Sequence, residues 1–349
     1  MKLKGRGASI NPSHRFEHFN KINDVFQDLA HEEAESPKTQ VIPTFPKTIV
    51  NPVVSDDLPF GYSLNPYQGC EHGCIYCYAR PTHNYWGYSS GLDFEQKILV
   101  KKNAAELLEN KLKSKKWKTA PIALSGNTDC YQPIEAKLRI TRSLLEVFYS
   151  YRHPVTIITK NSLILRDLDI LKKLNEHHLL HVAVSVTSLD QKLQQRLEPR
   201  TASPQGRLKI IKTLSDSGIP VMAMMAPIIP GLTDFEIMAL AKETADHGAN
   251  SFSYGIVRLN EDLDQLFIQW LDDHLPDRKD KVLNKIKSMR NGKLSATIKE
   301  GRHSGHGEVS KIIKQQVTLA RKLYFPNPRK VELNLDLHYK YKSNQLSLF

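Results

Sequence analysis

Six short apolar, β-branched runs alternate with helix-period segments between residues 60 and 275, and no other feature of the chain constrains its fold so strongly. The runs lie at 61–65, 122–125, 155–160, 182–186, 221–228 and 252–257. The segments of helical period lie at 104–116, 135–151, 163–177, 205–217, 234–247 and 261–274, with Asn175, Gly218 and Gly248 near helix ends where left-handed caps are wanted. Six such alternations imply parallel strands joined by right-handed crossovers. The sheet is then either open and doubly wound or a curved partial barrel, and both place chemistry at the C-terminal ends of the strands.

The flanks read differently. Residues 1–59 lack a sustained period and carry Pro12, Pro43, Pro46, Pro52 and Pro59 around a helix-like patch near 18–33. They read as an extended arm that wraps a core it does not itself contain. Beyond 275 the alternation stops. Two basic helical segments, 279–289 and 309–324, flank a glycine-rich stretch at 301–307 and make a basic extension over 276–324. Residues 325–349 are expected to be a mobile tail.

The most informative stretch is Cys70, Cys74 and Cys77, spaced C-x-x-x-C-x-x-C on one tight loop. A structural zinc site wants four ligands, usually as two separated pairs, and a ferredoxin wants a fourth cysteine in a recognisable run. Three thiolates holding a 4Fe–4S cluster leave one iron open to an outside ligand. Gly69 and Gly73 let the backbone fold closely round such a cluster, and Tyr76 and Tyr78 can shield it. The other reading is that His72 joins the three cysteines in a zinc site. Four cysteines in 349 residues, three of them so spaced, do not make a disulfide scaffold, so the chain reads as cytoplasmic.

Composition removes further classes. Hydrophobic residues are 40% and charged residues 25%, a globular balance. No apolar run approaches the roughly eighteen residues of a membrane span. The basic start at residues 1–7 is not followed by an apolar core, so no signal peptide is expected. Charge is distributed unevenly: the last 74 residues hold 17 Lys/Arg against 6 Asp/Glu, while the first 275 hold 32 against 31. A basic end of this kind suits a polyanion, because neutralising phosphates releases counterions; it also suits a plain solvated face.

The cysteine loop resembles the signature of the radical S-adenosylmethionine (SAM) superfamily, with an aromatic before the last cysteine. Tyr76-Cys77-Tyr78, Thr128-Asp129 after the second strand and Lys160 at the end of the third resemble its spore photoproduct lyase-like branch, also described as DNA repair photolyase-like. So do Tyr131 through Glu135, Glu198-Pro199-Arg200 and Pro227 through Gly231. The resemblance covers about residues 60 to 275 and implies a partial (β/α)6 barrel. It implies a 4Fe–4S cluster on Cys70, Cys74 and Cys77 whose open iron chelates SAM. It also implies reductive cleavage of SAM to methionine and a 5′-deoxyadenosyl radical, with an electron donor such as flavodoxin or ferredoxin. Lys160 is then the candidate cation for SAM's carboxylate, and Arg200 can do the same with a bidentate fork. Thr128, Asp129 and Ser185 suit SAM's ammonium and ribose hydroxyls, and Tyr76 belongs to the cofactor pocket.

In the lyases of that branch a cysteine shortly before the serine–aspartate pair returns a hydrogen atom to the product. Here 124–129 contains no cysteine, and the candidate is Cys130, one residue further on. Cys130 can equally be a small buried apolar residue. Tyr78, Tyr76 and Tyr131 are alternative donors.

The resemblance and the basic end together imply action on nucleic acid, with a DNA lesion extruded into the barrel mouth. RNA or a peptide is the alternative substrate, and a non-enzymatic iron–sulfur sensor that binds DNA is the alternative class. The chain ends at 345–349 in Gln-Leu-Ser-Leu-Phe, which resembles a bacterial sliding-clamp-binding motif. Arg302, His303 and His306 in the glycine-rich stretch can cradle a phosphate, bind adventitious metal, or lie on an exposed turn.

Overall fold

The alternating runs become neighbours in one sheet. The computed structural model describes residues 5–13, 38–53, 60–260, 262–295, 304–328 and 331–342. Its strands are β1 (Gln40–Thr44), β2 (Val50–Pro52), β3 (Tyr62–Leu64), β4 (Tyr67–Gln68), β5 (Lys97–Lys101), β6 (Ile122–Leu124), β7 (Val155–Thr159), β8 (Leu180–Ser185), β9 (Val221–Ile228) and β10 (Ser251–Ile256). The main sheet runs β2-β3-β6-β7-β8-β9-β10, all parallel from β3 onward, with β2 antiparallel at the edge. The order never reverses, so successive right-handed crossovers lay their helices on one face. That decides between the two sheets the periodicity allows: the doubly wound order is absent, and the sequence of strands is that of a partial barrel.

The crossover helices are α1 (Ala104–Lys113), α2 (Ile140–Ser150), α3 (Leu168–Glu176), α4 (Pro204–Asp216) and α5 (Ile237–Asp246). Register places Leu64, Leu124, Ile157, Val182 and Val221 in one row, and all five are buried in the core that these helices cover. Side chains alternate across a strand, so Thr156, Ile158, Met222 and Met224 take the concave side, where they are only half-buried.

Three features depart from the periodic reading. The arm does not only wrap: β1 pairs parallel with β5 and β2 extends the main sheet, while β4, beyond the arm, pairs antiparallel with β5. The helices α6 (Leu263–His274), α7 (Lys279–Ser288) and α8 (Gly307–Tyr324) also divide their roles differently from the expected boundary at 275. α6 follows the last strand, yet Leu263, Leu266, Phe267, Trp270 and Leu271 pack in a separate cluster with Cys74, Ile75 and Tyr76. The helix that covers the end of the main core is α8, through Ile313, Val317 and Ala320, with the Arg321 Nε donating to Phe252 O (2.8 Å).

Within the stretch read as a tail, residues 331–342 are described. Asp336–Lys342 is a helix, capped by Asn334 Oδ1, which accepts from the Asp336 and Leu337 amides. His338 is buried against His153, ring centroids 4.8 Å apart, with its Nδ1 2.6 Å from Tyr151 O. Residues 345–349 and the glycine-rich positions Arg302 and His303 lie outside the described residues. Among the described residues no helix is long and apolar enough to cross a membrane.

His153 generates a pH prediction. Its Nε2 accepts from the Trp117 indole N–H (3.1 Å), which requires a neutral ring. Burial, then the neighbouring His338, pushes its pKa down from 6.5 to about 3. Below pH 6.5 the unfolded chain therefore binds a proton that the folded chain refuses, and stability falls as pH drops from 6.5 toward 3. The slope from this residue is about 1.4 kcal/mol per pH unit. Urea unfolding followed at pH 7, 6 and 5 should show that loss, and His153→Phe should flatten the slope by about that amount.

Candidate functional site

The cysteine loop follows β4 at the C-terminal end of the sheet and is irregular backbone shielded from solvent. Cys70 and Cys74 are each 6% exposed and Cys77 is half-buried. Gly69 and Gly73 adopt φ of +80° and +68°, where a side chain would be strained. Both are also crowded: a Cβ on Gly69 would sit 3.0 Å from Lys97 O and Phe94 O, and one on Gly73 2.8 Å from Glu95 Oε2.

The loop's polar groups find partners in distant segments. The Cys70 amide donates to Phe94 O, the Ile75 amide to Leu197 O, and the Arg200 amide to His72 O. Gln132, fully buried, accepts from the Glu71 amide (2.9 Å) and donates to Gly69 O (3.1 Å). The centre of the scaffold is Arg80, fully buried. Its Nε donates to Cys74 O (2.8 Å), one Nη to Ser90 O and Gly91 O, and the other pairs with the buried Glu95 at 2.5 Å. A second buried pair, Arg207 with Glu198, lies across the loop, and Arg207 also donates to Ser185 O and Thr201 Oγ1.

The strand ends converge on the loop, and several of the side chains expected at the cofactor have protein partners there. The Asp129 carboxylate accepts from Thr159 Oγ1, the Lys160 amide and the Tyr131 amide, and lies 3.5 Å from His72 Nδ1. It positions its neighbours. Thr128 is also turned inward, 1% exposed and donating to Tyr67 O. Ser185 is buried with its carbonyl taken by Arg207. The Arg200 guanidinium lies against Glu71 Oε1 (3.3 Å), so it braces the loop. Lys160 differs from all of these. Half-buried at the end of β7, it forms no ion pair among the described residues, and its charge works on the Cys74 thiol and on His72.

The expected hydrogen donor Cys130 is fully buried in the main core, its amide donates to Ser125 Oγ, its carbonyl accepts from Thr141, and burial pushes its thiol pKa well up. Tyr131 shares that burial. Tyr78 stays at the surface, 51% exposed, with its hydroxyl donating to Gly126 O (2.7 Å). The His72 Nε2 contacts Asn161 Nδ2 (3.0 Å) while Nδ1 lies 3.5 Å from Asp129, so both ring nitrogens face neighbours other than the cysteines.

The Radical SAM superfamily family model matches residues 64–244. The chain belongs to the radical SAM superfamily. An uncharacterized protein of Mycobacterium tuberculosis is 37% identical over 177 residues, 51% of this chain and 52% of that protein. Another, from Methanocaldococcus jannaschii, is 34% identical over 176 residues, 50% of this chain and 63% of that protein. The chain thus spans about half the length of the mycobacterial relative. Among solved structures, spore photoproduct lyase complexed with dinucleoside spore photoproduct superposes with a TM-score of 0.56 at 16% identity, covering 82% of this chain and 80% of that one. A variant of that lyase with bound AdoMet gives 0.56 at 17% identity over the same shares. At these identities the likeness is one of fold.

The cofactors of this superfamily are a 4Fe–4S cluster and SAM, and the residues present fit them. The backbone amides of His72 and Asp129 act on the Cys70 sulfur in favour of its thiolate, whereas burial raises both the Cys70 and Cys74 thiols. Buried thiolates need positive charge close by, which an iron–sulfur core supplies. Tyr76, 5% exposed, keeps a hydroxyl without a hydrogen-bond partner beside Cys77. Sequence reading missed Arg80 and Glu95 as parts of the site, took Gln132 only within the stretch 131–135, and named His72 only as a zinc ligand. The signal for Arg80 was an arginine three residues after Cys77.

Arg80→Met should lower the apo-protein's unfolding free energy by about 3–5 kcal/mol, because Glu95 is left as an unpaired buried charge. Adding Glu95→Gln should recover part of that loss, and urea titration of the four-protein cycle measures it.

Proposed function

We propose that this chain is a radical SAM enzyme acting on nucleic acid, with a lesion in DNA as its substrate. The observation that carries this reading is where the basic extension attaches. Through Val282, Leu283 and Ile286, α7 joins the apolar cluster that contains Cys74, Ile75 and Tyr76. Its Lys281 and the following Lys293 are exposed, so cationic surface and cysteine loop share one end of the sheet. Phosphates held there would bring a base to the strand ends. The exposed rings of Tyr78, Tyr85 and Trp86, in and just after the loop, suit stacking against an unpaired base. The solved lyase complex with a dinucleoside photoproduct on the same fold supports the choice of DNA.

In this reading Cys70, Cys74 and Cys77 would hold the cluster. Bound there, it would pass one electron from a flavodoxin- or ferredoxin-like donor to SAM, whose S–C5′ bond would break to give methionine and a 5′-deoxyadenosyl radical. The protein's part is to bind, orient and keep the site dry. Lys160 supplies the cation for SAM's carboxylate, and Asp129 holds the Lys160 backbone in place through its amide (2.8 Å). Tyr76 closes the pocket beside Cys77. With Cys130 buried, the hydrogen donor is sought at Tyr78, the tyrosine that reaches the surface. The terminal motif at 345–349 fits recruitment to a sliding clamp at sites of repair.

Anaerobic reconstitution, dithionite reduction and an assay for 5′-deoxyadenosine test the reading. Wild type should cleave SAM, Cys74→Ala should not, and Cys130→Ala should match wild type. UV-irradiated DNA should stimulate the reaction above undamaged DNA. Stimulation by RNA alone would move the substrate class, and an intact cluster that never cleaves SAM would remove the enzyme reading. Lys160→Met should leave the cluster's visible absorbance intact while weakening SAM binding about 10- to 100-fold, the worth of one hydrogen bond to a charged group.

A further inference from the structure

Residues 5–12 precede the barrel by some fifty positions, yet they lie directly against the cysteine loop. The Gly7 and Ala8 amides donate to the two carboxylate oxygens of Glu95 at 3.0 and 2.8 Å. Glu95 is the partner of Arg80, whose Nε holds Cys74 O, so the segment is two side chains away from a cysteine carbonyl. Arg6 Nη1 donates to Glu95 O (2.7 Å). Further along, Ile10 O accepts from the Leu92 amide, Asn11 and Asp93 exchange two hydrogen bonds, and Pro12 O accepts from Ser89 Oγ. Ala8, 2% exposed, belongs to the same apolar cluster as Cys74, Ile75 and Tyr76.

The closest approach is between two backbones. A Cβ built on Gly7 falls 1.8 Å from Gly73 O, and one on Gly73 falls 3.2 Å from the Gly7 nitrogen. Gly7 tolerates no side chain unless the loop moves, because its obstruction is backbone, which cannot swing aside; at Gly73 the first obstruction is the Glu95 carboxylate at 2.8 Å. Further along the same segment, a Cβ on Gly91 falls 2.0 Å from Ile10 O. The segment is therefore fitted to its bed at two glycine contacts and fastened by charge-assisted bonds between them.

We propose that residues 5–12 form a strap that fixes the cysteine loop from behind, with Gly7 as a positioning residue. Its backbone passes over Gly73, sets the placement of Cys74, and keeps water from the Arg80–Glu95 pair. This rests on Cys70, Cys74 and Cys77 being the cluster's ligands. The strap sets how firmly the cluster is held and the electronic environment it meets.

The test compares full-length wild type, Gly7→Ala, Gly7→Val, Asn11→Ala and Gly61→Ala, each reconstituted anaerobically. Gly61 has open space at its Cβ and serves as the control. The first readout is the rate at which an iron chelator bleaches the cluster. The second is the electron paramagnetic resonance spectrum of the reduced cluster, which a purely stabilising segment would not alter. Gly7→Ala should bleach at least about tenfold faster, the factor that one or two lost hydrogen bonds give in a local opening equilibrium. Its spectrum should shift, and Gly7→Val should exceed it in both. Asn11→Ala, which loosens only the exposed end, should bleach about two- to threefold faster, and Gly61→Ala should match wild type. A folded Gly7→Ala protein with wild-type bleaching and spectrum overturns the strap. If Gly7→Ala does not fold, a wild-type bleaching rate in Asn11→Ala overturns it instead. A wild type that loads no cluster overturns the assignment of the cysteines, a failure distinct from the other two.

Discussion

Backbone that is neither helix nor strand must find its hydrogen bonds elsewhere when it is shielded from water, and the cysteine loop is such a backbone. Its amides and carbonyls are answered by Phe94, Leu197, Gln132, Arg200 and Arg80, drawn from three separate crossovers. Each of these partners has to be delivered by its own element. The parallel sheet does this by ending its strands on one side, so the loops after β3, β6 and β8 all arrive at the same place.

Two fully buried ion pairs stand on either side of the loop, Arg80–Glu95 and Arg207–Glu198. Desolvating four charges is costly, and apolar residues of similar volume often do as well for stability. What the arginines add is reach and fixed geometry. Arg80 touches Cys74, Ser90, Gly91 and Glu95 at once, and Arg207 joins residues 185, 187, 198, 201 and 202. A planar fork with five donors can hold several irregular segments in one arrangement, which no apolar side chain can do. Asp129 works similarly from the acceptor side, ordering Thr159, Lys160 and Tyr131 around one carboxylate.

The alternation of β-branched runs and amphipathic segments is local, so the six parallel strands and their crossover helices could be read along the chain to within a few residues. The short strands β1, β4 and β5 could not, because their pairing joins residues that are far apart and β1 carries Pro43 at a sheet edge. The exchange of places between α6 and α8 was equally hidden. Both are amphipathic, and periodicity says that a helix has an apolar face but not which surface covers it. At the site, the thiolate spacing was legible because the three cysteines sit in order on one loop. The burial of Cys130 was not: in sequence it adjoins Asp129, while in the structure it lies in the main core.

By itself, the sequence determined the class of fold, the clustering of three cysteines on one glycine-hinged loop, and the concentration of positive charge toward the C-terminus. All three are properties of neighbours along the chain, where period, spacing and composition act directly. Tertiary structure decided which polar residues remain free for chemistry. Thr128, Asp129 and Arg200 bond to protein groups around the loop, whereas Lys160 keeps its ammonium clear of any ion pair among the described residues. It also decided that residues 5–12 belong to the cysteine loop. Whether a buried donor or acceptor is already satisfied depends on what the rest of the chain brings beside it, and that is settled only when distant segments pack.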